Sequence, residues 1–332
     1  MFSTIFTSGL AGTVFGAALA ASGVYSPSII ISQMQLTDFH MLKVFLGASA
    51  SSALIIILFE KLGLTKCNPR TPSSLGWFSK YDGNIVGGLL IGSGMTLTGA
   101  CPGTSLVQLA AGVRSGKLVV CGGVLGGIIY SRFGKYIRRD AAVTAPSCHT
   151  VQEQLNISRA SAVLAYESIC LATVSAVLAL AQSHPDLISS TYGSLCIGSA
   201  QAASLLLTGN LVGVSGAYEE VAQVFWRTVS ATLGGVSTEQ KPLTFRSIIF
   251  VSGIMIGSYA AFLSVPSLFI ESDFDISTTR ALAGGFAISI GARTAGGCTS
   301  GHGISGMSTL SVSSIITVMA MFGGGIGLAT LK

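Results

Sequence analysis

The chain has 332 residues, of which 50% are hydrophobic and only 9% are charged, and its mean hydropathy is +0.70. So few charged side chains cannot cover a soluble domain of this length, which excludes a soluble globular protein and predicts that lipid is the solvent. The formal net charge of +5 is scattered and is not interleaved with aromatic residues, which excludes a nucleic-acid-binding surface. The seven cysteines form neither a zinc-binding pattern nor a disulfide framework, so we expect free thiols, no metal site and no cofactor.

Apolar runs of about 20 residues, the length that crosses a bilayer, recur along the whole chain. They predict nine transmembrane helices over residues 4–24, 40–59, 83–100, 117–134, 160–182, 192–211, 246–266, 280–297 and 309–330. The first run has no basic residues before it and belongs to a repeat described below. We therefore interpret it as a helix of the mature protein and not as a secretory signal.

Four stretches between these runs are too apolar for open water and too broken to cross a bilayer. They cover residues 25–36, 101–113, 214–232 and 298–307. Such segments are tolerated at membrane depth only where protein or a cavity surrounds them. We therefore predict four short re-entrant helices.

The predicted spans at 83–100 and 280–297 end in the same way. Each is a glycine-rich apolar run that stops at a glycine, a small residue and a cysteine, which is Cys101 in the first case and Cys298 in the second. Broken hydrophobic segments at matching places in two halves of a membrane protein are the best sequence indication of a transport site. A cysteine at both breaks indicates that the site handles sulfur.

A second repeat supports the first. The sequence Ser-Gly-Val-Tyr-Ser at 22–26 is echoed by Ser-Gly-Ala-Tyr-Glu at 215–219, and both follow the end of an apolar span. The chain therefore divides into two halves of like order, 1–134 and 190–332. Residues 135–189, which join them, are predicted to hold a cytosolic connector loop at 135–158 and one linking transmembrane helix.

The number of spans fixes the relation between the two halves. Four spans return the chain to its starting side, so the single linking span makes the second half begin on the opposite side. The two repeats are then inverted. Cys101 and Cys298 approach the midplane of the membrane from opposite faces.

Lysine and arginine near the ends of the spans predict the orientation, because cytosolic loops carry an excess of them. One side holds Lys61, Lys66, Arg70, Lys80, Arg132, Lys135, Arg138, Arg139, Arg159, Arg227, Lys241 and Arg246. The other side holds Lys43, Arg114, Lys117, Arg280 and Lys332, together with the acidic residues Glu271, Asp273 and Asp275. We expect an integral protein of the plasma membrane with a cytosolic N-terminus and an outer C-terminus.

Residues 99–103 and 291–303 resemble the signature of the YeeE/YedE sulfur-transport family, whose characterised bacterial member takes up thiosulfate. The predicted layout is also similar to that family's hourglass fold. The resemblance implies an all-α polytopic membrane protein of about nine transmembrane helices and four short re-entrant helices. This chain departs from the family at residues 22–25, which lack the third functional cysteine of the bacterial transporter, so a relay through three thiols is not available here.

The chemistry of the two breaks fits an anion that carries sulfur. Each re-entrant helix directs its N-terminus, with free N–H groups and a partial positive charge, at the centre of the bilayer. A thiol adds a weak, polarizable donor for a terminal sulfur, and two opposed thiols keep each interaction weak enough for release. The candidate residues for binding and translocation are Cys101, Cys298, Gly99, Gly103, Arg293, Gly297, Thr299, Gly301, His302, Tyr25 and Tyr218.

Several of these residues also have a structural interpretation. His302 either lines the inner mouth or bonds a nearby carbonyl, and Tyr25 and Tyr218 either present hydroxyls to the pore or pack. Glu167 lies inside a span, where an ionisable group is a functional candidate, but its place on the linking helix favours a structural hydrogen bond or a partly hydrated position. Cysteine is a common small buried hydrophobe, and we assign that role to Cys121, Cys170 and Cys196.

The preferred function is a transporter of thiosulfate or a related small sulfur anion, with the lipid bilayer and a cytosolic sulfur-carrier protein as further partners. One alternative is a membrane-embedded persulfide or redox enzyme that uses Cys101 or Cys298. Against it stands the absence of a CxxC pair and of a Cys-His-acid constellation. A second alternative is a channel for another small anion or a neutral solute.

Overall fold

The computed structural model describes residues 2–139, 149–180, 189–232, 243–270 and 274–331. Within these ranges the secondary structure is helical apart from one bridge between Thr150 and Ser311. The α-helices in chain order are α1 (Phe2–Ser22), α2 (Pro27–Met34), α3 (His40–Lys61), α4 (Asp82–Thr98), α5 (Thr104–Ala110), α6 (Arg114–Ile137), α7 (Val151–Leu155), α8 (Arg159–Leu180), α9 (Ser190–Thr208), α10 (Gly216–Thr232), α11 (Arg246–Ser264), α12 (Thr278–Ala295) and α13 (Val312–Thr330). A 3₁₀ turn at Pro266–Leu268 and a π-helical segment at Ser300–Gly306 complete the set.

A helix lies over each of the nine predicted spans. Six of these helices, α1, α3, α6, α8, α11 and α13, are long and apolar enough to cross a membrane by length and composition. The chain is therefore an all-α polytopic integral membrane protein. The centre of the predicted connector, with Cys148, lies outside the described residues, as do Glu271 and Asp273.

The short segments differ in length. α2 has 8 residues, α5 has 7 and the π-helical segment has 7, whereas the stretch predicted at 214–232 forms the 17-residue helix α10. The sequence explains this difference, because no glycine or proline follows Gly216 before the helix ends at Thr232. A helix of that length rises about 26 Å, so α10 fills the predicted bounds of 214–232 but is longer than the short helix expected there.

Helices α4 and α12 cross at the centre of the bundle through glycines. A Cβ atom added to Gly87 would lie 2.5 Å from the carbonyl oxygen of Gly291, and one added to Gly94 would lie 2.7 Å from that of Gly284. Residue numbers rise along α4 while they fall along α12, so the two helices are antiparallel. Small residues allow such close approach in lipid, which explains why these two helices are rich in glycine.

Two further pairs of helices also meet through glycines, but in these pairs the helices run parallel. Gly12 and Gly16 of α1 face the carbonyl oxygens of Phe250 and Ile254 of α11, so these helices run parallel. Helices α3 and α9 also run parallel, because Gly47 approaches Ser194 where Gly198, one turn later, approaches Ser51.

Helix α8, the predicted linking helix, lies at the edge of the bundle and packs on α3. Its contact is fixed by the Tyr166 hydroxyl, which donates to Ser49 Oγ at 2.6 Å. Leu164 and Leu171 on the opposite face are 68% and 69% exposed, as expected for a surface that faces lipid.

Candidate functional site

Both predicted helix breaks are present, and both have the same backbone form. Helix α4 ends at Gly99, whose φ is +58°, and helix α12 ends at Gly296, whose φ is +81°. Both glycines adopt the left-handed conformation that closes a helix C-terminus at little steric cost. The chain then turns, and a cysteine follows two residues later in each case.

The sulfur of Cys101 lies over the first turn of α5. The backbone N–H of Thr104 donates to Sγ at 3.4 Å, and the Thr104 hydroxyl lies 3.3 Å from the same sulfur. Thr104 Oγ1 also accepts from the backbone N–H of Cys101 at 2.7 Å, which fixes the residue against the turn.

Cys298 is buried, with 1% of its surface exposed, and polar donors surround its sulfur. Ser300 Oγ lies 3.3 Å from Sγ, and the backbone N–H groups of Gly301 and Val214 reach the same atom. Val214 precedes α10, so elements of the chain distant in sequence converge on this thiol. Cys101 and Cys298 lie near each other in the folded chain.

A partly open cavity of about 50 Å³ receives residues from both breaks. Cys101, Gly103 and Thr104 line it from the first half, and Thr299 and Ser300 line it from the second. The rest of its wall is apolar and comes mainly from α1 and α3. The volume corresponds to roughly three or four water molecules.

The hydroxyl of Thr299 is buried and has no hydrogen-bond partner among the described residues. Leaving a buried hydroxyl unpaired is costly, and this one belongs to a residue that lines the cavity. It is therefore a free donor and acceptor at the place where the two breaks meet.

Tyr218 lies near both thiols. Its side chain packs on Gly123 and Gly127 of α6: a Cβ atom added to Gly123 would lie 2.9 Å from the phenol ring, and one added to Gly127 would lie 3.0 Å from the Tyr218 Cβ. The Tyr218 hydroxyl bonds Ser105.

Tyr25, by contrast, is fully buried away from the cavity. Its hydroxyl donates to the carbonyl of Leu268 at 2.9 Å and accepts from the N–H of Ile270 at 2.7 Å. The hydroxyl thus donates one hydrogen bond and accepts another, and through both Tyr25 holds the segment that joins α11 to α12.

Two other candidates have protein partners. Arg293 Nη2 donates to Glu219 Oε2 at 2.6 Å and so joins α12 to α10. His302 lies 3.2 Å from the Ala295 carbonyl through Nε2 and 3.0 Å from Ser314 Oγ through Nδ1. Because a carbonyl only accepts, Nε2 carries the proton in this arrangement. Neither side chain is directed at the cavity.

A cation that the motifs do not contain lies beside Cys298. Arg70, from the segment between α3 and α4, donates through Nε to the Gly301 carbonyl at 2.7 Å and through Nη1 to the Gly296 carbonyl at 3.0 Å. Sequence reasoning used Arg70 only as a marker of orientation. The one available signal is its position between Pro69 and Pro72, which stiffen the loop.

Gly297 and Gly301 provide room for this guanidinium. A Cβ atom at Gly297 would lie 2.7 Å from Arg70 Nη1, and one at Gly301 would lie 2.8 Å from Nη2. Among the described residues no group of three or more His, Cys, Asp or Glu is placed to hold a metal ion.

The sequence matches a protein family described as Sulphur transport, over residues 21–327. It is 22% identical over 324 residues to the thiosulfate transporter TsuA of Spirochaeta thermophila, in a match that covers 93% of each chain. It is 27% identical over 141 residues to a protein of Xylella fastidiosa named "Probable transporter", and that match covers 42% of this chain and 89% of the other. Both helix breaks lie within the residues that match the family.

Proposed function

The chain belongs to the sulphur transport family, and we propose that it carries thiosulfate or a related small sulfur-containing anion between Cys101 and Cys298. The observation that carries the proposal is a cavity lined by residues of both helix breaks. A full-length relative named as a thiosulfate transporter supports the choice of substrate.

The donors around the two sulfurs suit this substrate. At Cys101 they are the N–H and hydroxyl of Thr104, and at Cys298 they include the hydroxyl of Ser300. The donors bonded to the two sulfurs are neutral, and they hold a small anion less tightly than a full charge in direct contact would. Conduction requires that the ion be bound weakly enough to leave each position.

We further propose nine transmembrane helices and four re-entrant segments, arranged as two inverted repeats in an hourglass-like fold. In this arrangement each element of the first half has one counterpart in the second. In chain order, α1, α2, α3, α4, α5 and α6 correspond to α9, α10, α11, α12, the π-helical segment and α13. Helix contacts support this pairing, because counterpart helices pack in the same way. The contact of α1 with α11 is repeated by that of α9 with α3, and the contact of α4 with α13 is repeated by that of α12 with α6. The antiparallel crossing of the paired helices α4 and α12 supports inversion.

We propose the same boundaries for the two halves that the sequence predicts, namely 1–134 and 190–332, joined by 135–189. The relative from Xylella fastidiosa, most of whose length corresponds to 42% of this chain, supports a structural unit of about that size. We propose the plasma membrane as its location, and the distribution of lysine and arginine supports a cytosolic N-terminus and an outer C-terminus.

The test is uptake of radiolabelled thiosulfate into liposomes that contain the purified protein, compared with liposomes without protein. Uptake that saturates with thiosulfate concentration supports the proposal, and uptake equal to that of the empty liposomes contradicts it. Mass spectrometry of the protein after exposure to thiosulfate separates transport from sulfur-transfer chemistry. A persulfide on Cys101 or Cys298 that accumulates without uptake would favour an enzyme.

A further inference from the structure

Arg70 is built into the break that follows α12 and is not a free surface cation. Its guanidinium bonds the carbonyls of Gly296 and Gly301, which stand on either side of Cys298 in the sequence. Its own backbone is also fixed, because its N–H donates to Ser311 Oγ at 2.8 Å and its carbonyl accepts from Ser313 Oγ at 3.0 Å. Four hydrogen bonds thus set the position of one arginine that comes from a loop.

The guanidinium retains donors that could bind a ligand. Of its five N–H groups, two bond the carbonyls described above, and no acceptor for the other three is present among the described residues. Nη2 lies over Gly301, whose added Cβ would be 2.8 Å from Nη2 and 3.7 Å from Cys298 Sγ. Nη2, which carries two of the three free N–H groups, is therefore close to the sulfur of Cys298.

The equivalent carbonyl at the other break has a neutral partner. Gln108 Nε2 donates to the Gly99 carbonyl at 2.8 Å and to the Tyr25 carbonyl at 2.7 Å. Gln108 Oε1 is buried without a partner in the described part of the chain, so this amide presents an acceptor and no charge. The two breaks share their backbone form but differ in charge.

We propose that Arg70 is a specificity-determining residue for the transported anion, forming with Cys298 a cationic subsite that the Cys101 side of the path does not have. The inference rests on the proposed function and names the group that would bind the oxyanion end of the substrate. Guanidinium groups bind oxyanions in a bidentate manner. The thiol of Cys298 then faces the terminal sulfur while the free N–H groups of Arg70 face the oxygens.

The two carbonyls limit how tightly such a subsite binds. They accept from Nε and Nη1 and keep the guanidinium from closing around an anion, so only the remaining donors are offered. A divalent anion gains more from this charge than a monovalent one, because the Coulomb energy scales with the product of the charges. The subsite therefore selects for charge as well as for sulfur.

The test is uptake of radiolabelled thiosulfate into liposomes by the unmodified protein, Arg70→Gln, Arg70→Lys and the control Arg138→Gln, each checked for a single species in detergent. Arg138 is an exposed arginine whose Nη2 lies 3.5 Å from Ser73 Oγ, on the same side as Arg70. We expect the KM for thiosulfate to rise about tenfold or more in Arg70→Gln, as for the loss of one charge-assisted hydrogen bond. Arg138→Gln should stay within about twofold of the unmodified protein.

Inhibition by thiocyanate, a monovalent sulfur anion, separates charge recognition from a structural effect. Loss of the guanidinium charge should raise the KM for thiosulfate more than it weakens inhibition by thiocyanate, whereas a distorted site would change both equally. Equal changes, or an unchanged KM in Arg70→Gln, overturn the proposal. If Arg70→Gln does not give a single species, Arg70→Lys decides, because lysine lacks the planar fork, and an unchanged KM there overturns it. Absence of uptake by the unmodified protein would instead refute the proposed function.

Discussion

Gly99 and Gly296 end α4 and α12 in the same left-handed conformation, each two residues before a cysteine. The two helices cross antiparallel at the centre of the bundle, so the breaks approach each other from opposite directions. The cavity between them receives Cys101 from one break and Thr299 from the other. This pairing of backbone form and thiol position is the structural basis of the account.

Gly99 should not accept a side chain, for two separable reasons. An added Cβ would lie 2.7 Å from backbone and side-chain atoms of Pro27 in α2, and its φ of +58° is strained for any L-residue. Gly112 is the matched control, because its φ is +78° but nothing lies within 4 Å of an added Cβ. Both alanine variants lose about 1–2 kcal/mol to strain, and only Gly99→Ala loses a further 1–3 kcal/mol, roughly, to overpacking.

Thermal unfolding in detergent measures this difference. The midpoint should fall clearly further for Gly99→Ala than for Gly112→Ala, and only Gly99→Ala should also lose uptake. Equal midpoints would show that α2 moves aside and that the contact at the break does not constrain it.

The two central thiols should be required for transport, and the thiols elsewhere should not. Cys101→Ala and Cys298→Ala each remove the sulfur at one break, so we expect each to abolish or greatly reduce uptake while the protein still folds. Cys121 is exposed, so the buried position predicted for it was wrong, and Cys196 is partly buried in α9. Their alanine variants serve as controls with near-normal uptake. Uptake that is alike in all four variants would disprove a path between the two thiols.

Tyr25→Phe should loosen the segment between α11 and α12. The variant leaves the N–H of Ile270 and the carbonyl of Leu268 without their shared partner, at a cost on the order of 1 kcal/mol for a neutral hydrogen bond. We expect faster hydrogen exchange at Ile270 and a moderate fall in uptake, with a larger fall in Tyr25→Ala. Tyr192→Phe is the control because Tyr192 is 67% exposed. Unchanged exchange and uptake in Tyr25→Phe would show that the ring only packs.

Arg293 should matter much less than its place in the second motif suggests. Its ion pair with Glu219 is partly exposed, with 24% and 35% of the two side chains accessible, so it contributes about 0.2–1 kcal/mol. We expect Arg293→Gln and Glu219→Gln to keep uptake within about twofold of normal, in contrast to Arg70→Gln. A large loss of uptake in Arg293→Gln alone would place this cation in the path after all.

The sequence predicted the helices well because lipid allows few alternatives. A segment that crosses a bilayer must satisfy its own backbone and remain apolar for about 20 residues, and both requirements are visible without a structure. The breaks were visible for a related reason, since glycine followed by a small residue and cysteine recurs at Cys101 and Cys298. The bounds of α10 were predicted at 214–232, but the sequence did not show that this stretch forms one long continuous helix.

Side-chain partners were harder to predict than helices. Arg293 stood in the motif, but only the structure shows that α10 brings Glu219 to it. Arg70 stood outside both motifs and is separated from Gly301 by 231 positions in sequence, so no local pattern indicates their contact. The position of a loop cation depends on how the whole chain folds back on the bundle, and hydrophobic periodicity carries no information about it.

The most direct test of the central claim is competition by sulfate during uptake of radiolabelled thiosulfate into liposomes that contain the unmodified protein. Sulfate has the charge and nearly the shape of thiosulfate but lacks the terminal sulfur that the two thiols are proposed to recognise. The account predicts that excess unlabelled thiosulfate abolishes labelled uptake while the same excess of sulfate leaves most of it. Inhibition by sulfate equal to that by thiosulfate would show that the path selects for charge and shape alone, and would contradict recognition of sulfur by Cys101 and Cys298.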